Sequence, residues 1–299
     1  MIKRTLYFGN PAYLKTNNNQ LVIEMQDSGE TKSAPIEDIG LLILDHQQIT
    51  ITQALMAKLL ANNTAVITCD DRHHPTGMMF NLDGHTLQSQ KFQAQIEASV
   101  PLKKQLWQQT IACKIENQAA LLQQEREEYK LLLTYAKEVK SGDSENHEAK
   151  AAAYYWKRIF PDFLEFSRHP QGLPPNNLLN YGYAILRALV ARSLTASGLL
   201  PTLGIHHRNQ YNAYCLADDI MEPYRPFVDK VVCQIIRGNG KFLEMTPVMK
   251  KALLEIPAMD VQMDGQKSPL MNAVQRTTAS LAKCYEGKAR KILYPELLQ

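Results

Sequence analysis

Gly40-Leu41-Leu42-Ile43-Leu44 and Ala65-Val66-Ile67-Thr68-Cys69, with a helical pattern from about Thr52 to Asn62 between them, decide the reading of the first third of the chain. Both runs are short, apolar and rich in β-branched residues, which marks strands. Thr5-Leu6-Tyr7-Phe8 and Leu21-Val22-Ile23-Glu24-Met25 repeat the pattern, and Asn17-Asn18-Asn19 and Asp27-Ser28-Gly29 supply turn chemistry. Thr50 or Thr52 is placed to cap the intervening helix. This pattern stops near Leu82, and beyond Ser89 the period becomes helical. Gln90 to Lys140 is long, charged on one side and interrupted by Pro101, which predicts two or more helices. Ser141-Gly142-Asp143-Ser144 is a break, with Asp143 or Ser144 available to cap the helix that follows. Asn176 opens an amphipathic helix through Leu178, Tyr181, Ile185, Leu189 and Arg192, which Gly198 ends. Shorter helices divided by Pro257 and Pro269 are expected from Thr246 onward. The predicted fold class is α+β: a mostly-β N-terminal domain over residues 1–85, then a larger all-α-helical domain over 86–299.

Composition agrees with this division without specifying a function. The 299 residues are 45% hydrophobic and carry a formal charge of +3, too mild to announce a nucleic-acid binder. Five scattered cysteines without a C-x-x-C pair read as reduced thiols, neither a disulfide framework nor a zinc site. No apolar run approaches membrane-spanning length, the N-terminus leads into a strand, and a cytoplasmic protein is expected.

The chemistry concentrates in Gly204-Ile205-His206-His207 and Leu216-Ala217-Asp218-Asp219-Ile220-Met221-Glu222-Pro223-Tyr224-Arg225-Pro226. On a helix, Asp219 and Glu222 at i and i+3 share a face, close enough to share a cation. Asp218 points about 100° away from Asp219. Glu148, in His147-Glu148-Ala149-Lys150-Ala151-Ala152-Ala153-Tyr154-Tyr155-Trp156, is a third candidate ligand. One imidazole with two or three carboxylates is a largely hard donor set, suited to Mg²⁺ or Mn²⁺ and hence to phosphodiester chemistry. By chemistry alone His206 and His207 are equal candidates. His73-His74-Pro75-Thr76-Gly77 reads as a turn after the Cys69-Asp70 strand end.

These motifs resemble the CRISPR-associated integrase family, the "Cas-one" proteins of antiviral defence. The resemblance rests on Glu148 in E-A-x-A-A-x-Y-Y-W, on Gly198-Leu199-x-Pro201-x-x-Gly204-x-x-His207, and on Leu216-Ala217-x-Asp219-x-x-Glu222-x-x-Arg225-Pro226. Pro35-Ile36-Glu37-Asp38-Ile39 and Ile49-Thr50-Ile51-Thr52 extend it to the N-terminal part, and the phrasing is most like members from single-effector (type II) systems. It implies a metal-dependent endonuclease and integrase that joins the 3′-hydroxyl ends of captured double-stranded DNA to CRISPR repeat DNA by transesterification. It selects His207 over His206 and implies Glu148, His207 and Glu222 as catalytic metal ligands for Mg²⁺ or Mn²⁺. Asp219 is a further catalytic candidate, better judged as a support than as the equal of Glu222. It also implies a homodimer and a small partner, the "Cas-two" dimer. A stand-alone metal-dependent nuclease on branched DNA and a non-enzymatic DNA-binding scaffold are the alternatives. Lys150, Lys157, Arg158, Arg187, Arg192, Arg208 and Arg225 are candidate phosphate contacts, and Tyr154, Trp156 and Tyr211 candidate stacking surfaces.

Overall fold

The computed structural model describes residues 3–26, 28–71, 73, 75–81, 83–163, 166–169, 171–240, 242 and 244–297. Asp27 and His74 of the expected turns, and Leu82 at the change of period, lie outside them. The chain divides into two compact units, Met1–Thr86 and Leu87–Gln299.

In the first unit β1 (Arg4–Phe8), β2 (Ala12–Asn17), β3 (Gln20–Met25), β4 (Thr31–Pro35), β5 (Ile39–Leu44), β6 (Thr50–Ile51), α1 (Gln53–Ala61), β7 (Ala65–Cys69) and β8 (Pro75–Met79) follow in order. They form two sheets, β1-β5-β7-β8 and β4-β3-β2-β6. β5 lies parallel to β1 on one side and to β7 on the other. Leu41, Leu42 and Ile43 are all fully buried, which explains a continuous apolar run in place of alternation. Asn18 and Asn19, with φ of 46° and 58°, make the two-residue turn between β2 and β3. Thr52 is the cap of α1: its hydroxyl accepts from Leu55 N–H at 3.3 Å, while Thr50 belongs to β6. Leu14, Leu21, Leu42, Leu55 and Val66 share one core.

The stretch after Cys69 corrects the expected turn in part. His73 does turn, with φ of 63°, but Pro75 opens the edge strand β8. Proline is tolerated as the first residue of an edge strand, so it does not exclude one.

The second unit comprises α2 (Gln88–Ile96), α3 (Val100–Gln124), α4 (Lys130–Glu138), α5 (His147–Trp156), α6 (Asn176–Ala196), α7 (Cys215–Met221), α8 (Arg225–Asn239), α9 (Pro247–Leu254), β9 (Asp260–Met263), β10 (Gln266–Pro269) and α10 (Leu270–Tyr285). Ser99 caps α3 through Leu102 N–H at 3.4 Å, and Pro101 sits in its first turn, where a missing N–H costs nothing. α3 packs against α4, α5, α7 and α8, so it is the shaft on which the site is assembled. α6 ends at Gly198, φ 75°, with Leu199 N–H returning to Leu194 O at 2.9 Å. The tail holds the expected helices α9 and α10 and adds a hairpin between them. β9 and β10 form an antiparallel hairpin, closed by Asp264 and Gly265 at φ of 56° and 73°. Asp-Gly is the chemistry such a turn demands, and it outweighs the helical reading of the flanking residues.

The buried strand β5 yields a direct test. Leu42→Ala deletes a fully buried side chain and should cost about 2–5 kcal/mol, read as a lower urea midpoint of the first unfolding step. A loss below about 1 kcal/mol would mean that β5 is not the core strand.

Candidate active site

Glu148 stands in the first turn of α5, and its backbone is held by Asp143. The Asp143 carboxylate accepts from His147 N–H at 2.8 Å and from Glu148 N–H at 2.9 Å. Two donors orphaned at the helix start are thereby satisfied. Asp143, rather than Ser144, is the capping side chain, and its φ of 51° beside Gly142 at 73° bends the chain toward the helix. Two turns further on, Tyr155 reaches Asp229 of α8 at 2.8 Å, and Tyr183 of α6 meets the same carboxyl at 2.5 Å. Burial pushes the Asp229 carboxyl up to about 6, against the pull of those hydroxyls and Arg225.

The loop before α7 is built around Asp219, which has no exposed surface. One of its oxygens accepts from Ile205 N–H at 2.6 Å and His206 N–H at 2.9 Å. The other meets His207 N–H at 3.3 Å and His207 Nδ1 at 2.5 Å. Gly204 permits this wrap: a Cβ there would lie 2.4 Å from the His207 carbonyl oxygen and 2.8 Å from Asp219 Oδ2. The two histidines then part company. His206 stacks flat on buried Trp107 of α3, centroids 4.3 Å apart, whereas His207 meets the edge of that indole at 5.7 Å. With Nδ1 committed to Asp219, Nε2 is the His207 nitrogen able to take a cation or a proton.

Glu148 and Glu222 meet at an ammonium. Lys114 Nζ lies 2.7 Å from Glu148 Oε1 and 2.6 Å from Glu222 Oε2. Arg225 Nε holds the other Glu222 oxygen at 2.8 Å. Burial raises the Glu222 carboxyl, but Arg225 and then Lys114 outweigh it and bring it down to about 2. Burial likewise opposes the charged Lys114, yet Glu222 and Glu148 hold its pKa above the ordinary lysine value. The hydrogen bond that the His207 ring donates to Asp219 raises the His207 pKa, burial works against it, and Glu222 and Glu148 add to the rise. Glu148, His207 and Glu222 thus belong to one electrostatic neighbourhood. Among the described residues no three His, Cys, Asp or Glu side chains stand together as a ready ion cage.

Asp219 and Glu222 do not turn toward one cation as the i, i+3 spacing suggests. α7 ends at Met221, and Glu222 opens a tight turn with Pro223, so the two carboxylates serve different partners. Asp219 is a positioning residue for the loop and for His207. Among the basic candidates, Arg192 is only 1% exposed and cannot reach a phosphate. Arg187 pairs with Asp218 at 2.6 Å, and Arg158 lies over Tyr154 at 3.6 Å. Trp156 packs among Tyr155, Phe160 and Phe166, whereas Tyr211 is 88% exposed. Lys114 and Trp107 escaped the sequence reading. Their signal was a charge on the buried stripe Trp107, Ile111, Lys114, Gln118 of α3, where a lysine needs a partner.

A β-rich unit followed by a helical one, with two glutamates and an oriented imidazole on α5 and around α7, defines a class that the comparisons name. The family model of CRISPR associated protein Cas1 matches residues 6–244. The chain is 35% identical over 301 residues to the CRISPR-associated endonuclease Cas1 of Neisseria meningitidis serogroup C (strain 8013), covering 100% of this chain and 97% of that protein. A casposase bound to integration product superposes with a TM-score of 0.80 at 20% identity, over 98% of this chain and 92% of the casposase. A chain of a Cas6-RT-Cas1–Cas2 complex gives 0.76 at 19% identity, over 100% of this chain and 37% of that one. The protein belongs to the CRISPR-associated Cas1 family.

In metal-free protein, NMR titration should place the His207 pKa above 6.5, and Asp219→Asn should bring it down. A folded pKa above the free imidazole value means that the pair's stabilisation is complete below about pH 6.5 and fades as pH rises through the folded pKa. An unshifted His207 would break the link to Asp219. Gly204→Val should release the loop, read as loss of hydrogen-exchange protection at Ile205 and His206.

Proposed function

We propose that this chain is the integrase of CRISPR adaptation, joining the 3′-hydroxyl ends of captured double-stranded DNA to CRISPR repeat DNA by metal-dependent transesterification. The observation that carries the reading is the convergence of Glu148 and Glu222, from separate elements, on one cationic position beside an imidazole oriented by a buried carboxylate. Membership of a family whose relative over the full chain is an endonuclease supports it, as does the fold likeness to a casposase bound to integration product.

The donor set fits a hard divalent cation, Mg²⁺ or Mn²⁺. Two carboxylates already converge on positive charge, and the Asp219–His207 bond is the carboxylate–histidine arrangement that commits the far nitrogen to a ligand role. Glu148, His207 and Glu222 would hold the ion, which supplies Lewis-acid charge at the scissile phosphate when bound. The chain's own residues do the rest. Asp219 fixes the tautomer and direction of His207. Trp107 and the stacked His206 brace the loop, and Arg225 pins Glu222. Lys150, Lys157 and Arg208 bind backbone phosphates. In the reaction the incoming 3′-oxygen bonds to phosphorus as the repeat's own 3′-oxygen leaves, and the proton of the first ends on the second. The number of phosphodiester bonds is unchanged, so no external energy source is needed.

The assembly belongs to the same reading. Strand edges at β1, β8, β4 and β6 need covering, and a homodimer through the unit of residues 1–86 would cover some of them. Likeness to a chain of a Cas1–Cas2 complex supports a Cas2 dimer as the small partner. Among the described residues no helix is long and apolar enough to cross a membrane, which fits work on DNA in the cytoplasm.

The test uses supercoiled plasmid carrying repeat DNA, oligonucleotides with 3′-hydroxyl ends, and the Cas2-type partner. Wild-type protein should give joined strands with either ion and none in chelator. Glu148→Ala, His207→Ala and Glu222→Ala should each lower the rate by on the order of 10²-fold or more, since misplacement near 1 Å has that effect. His206→Ala should keep most of the activity, and DNA affinity should persist throughout, because arginine and lysine supply it. Cleaved but unjoined ends would turn the reading to a stand-alone nuclease, and unaffected carboxylate variants to a scaffold. Light scattering should return about twice the chain mass; a monomer at micromolar concentration would count against the dimer.

A further inference from the structure

We infer that Lys114 is a tethered competitor for the divalent cation: its ammonium holds Glu148 and Glu222 together in the metal-free protein and is displaced when the ion binds. This rests on the reading of Glu148, His207 and Glu222 as metal ligands. Lys114 is in direct contact with both glutamates, at 2.7 and 2.6 Å. Arg225 holds the opposite oxygen of Glu222 and does not bridge.

Two carboxylates of low exposure, aimed at one point, repel each other unless positive charge lies between them. The Lys114 side chain is 10% exposed and leaves the buried face of α3, so the ammonium is built into the site rather than drawn in from solvent. Its chemistry suits a displaceable occupant. Lysine carries a compact point charge on a flexible four-carbon stem, whereas a guanidinium fork locks to one carboxylate geometry. The ammonium therefore keeps the ligands convergent while the ion is absent. Both cations cannot occupy the same gap, so the ion must displace the ammonium, and the protein's apparent metal affinity falls by that competition.

The experiment compares Mn²⁺ binding to the full chain, by the loss of the free-ion EPR signal, with thermal midpoints in chelator and in Mn²⁺. Lys114→Met and Lys114→Gln should bind Mn²⁺ about tenfold or more tightly than wild type, while their midpoints in chelator drop and recover with the ion. Lys104→Gln removes an exposed charge from the same helix and should leave affinity within about twofold, which separates displacement from a general charge effect. Wild type that binds Mn²⁺ while both Lys114 variants bind it equally or more weakly would overturn the competition and leave the metal reading intact. Failure of both variants to fold even with saturating Mn²⁺ would also overturn it, because the ion would not then replace the ammonium. Absence of Mn²⁺ binding to every form would remove the metal reading itself.

Discussion

Asp219 is a carboxylate withdrawn entirely from water, and the local architecture exists to satisfy it. An uncompensated buried charge costs several kcal/mol, so four donors are gathered around it, three of them backbone N–H groups of consecutive residues. Consecutive N–H groups reach one carboxylate only if the chain curls tightly, and a side chain on Gly204 would fill the curl. The imidazole of His207 is the fourth donor. One buried acid thus shapes the loop, explains the glycine and aims the His207 imidazole.

A second set of charges, buried at Lys114 and Glu222 and half-buried at Glu148 and Arg225, completes the site. Glu222 lies between Arg225 and Lys114, and Lys114 extends the chain of opposite charges to Glu148. Each member is satisfied by a neighbour from a different element, so the arrangement ties α3, α5 and the turn after α7 together. Tyr155 and Tyr183 add the uncharged counterpart, bringing α5 and α6 to Asp229 of α8. The polar groups of the site are also the fastenings between helices, and satisfied buried networks of this kind rigidify what they join.

Stiffness of this kind suits phosphoryl transfer, where positioning and fixed charge do most of the catalytic work. It also separates the roles of like residues. His206 and His207 are neighbours in sequence and both donate a backbone N–H to Asp219, yet one ring stacks flat on Trp107 and the other bonds Asp219 through Nδ1. Arg192 is buried away from the site, whereas half-buried Arg225 pairs with Glu222.

The amino-acid sequence by itself determined what local chemistry determines. Runs of Leu, Ile and Val declared the strands, Thr52 and Gly198 marked helix ends, and Gly204-Ile205-His206-His207 and Asp219 to Glu222 offered candidate ligands, among which only the family resemblance preferred His207. Those signals act over a few residues, and a period or a cap is legible wherever it occurs. The Asp264-Gly265 hairpin was equally local, and was hidden only by the helical reading of its flanks. Tertiary structure decided the rest. That Asp219 turns to the loop of residues 205–207, that Arg192 is buried, and that Lys114 lies between two glutamates all depend on packing. Lys114 meets Glu148 across 34 positions and Glu222 across far more. Such meetings are settled by how α3, α5 and α7 pack, since a period says which face of a helix is buried and not what lies opposite.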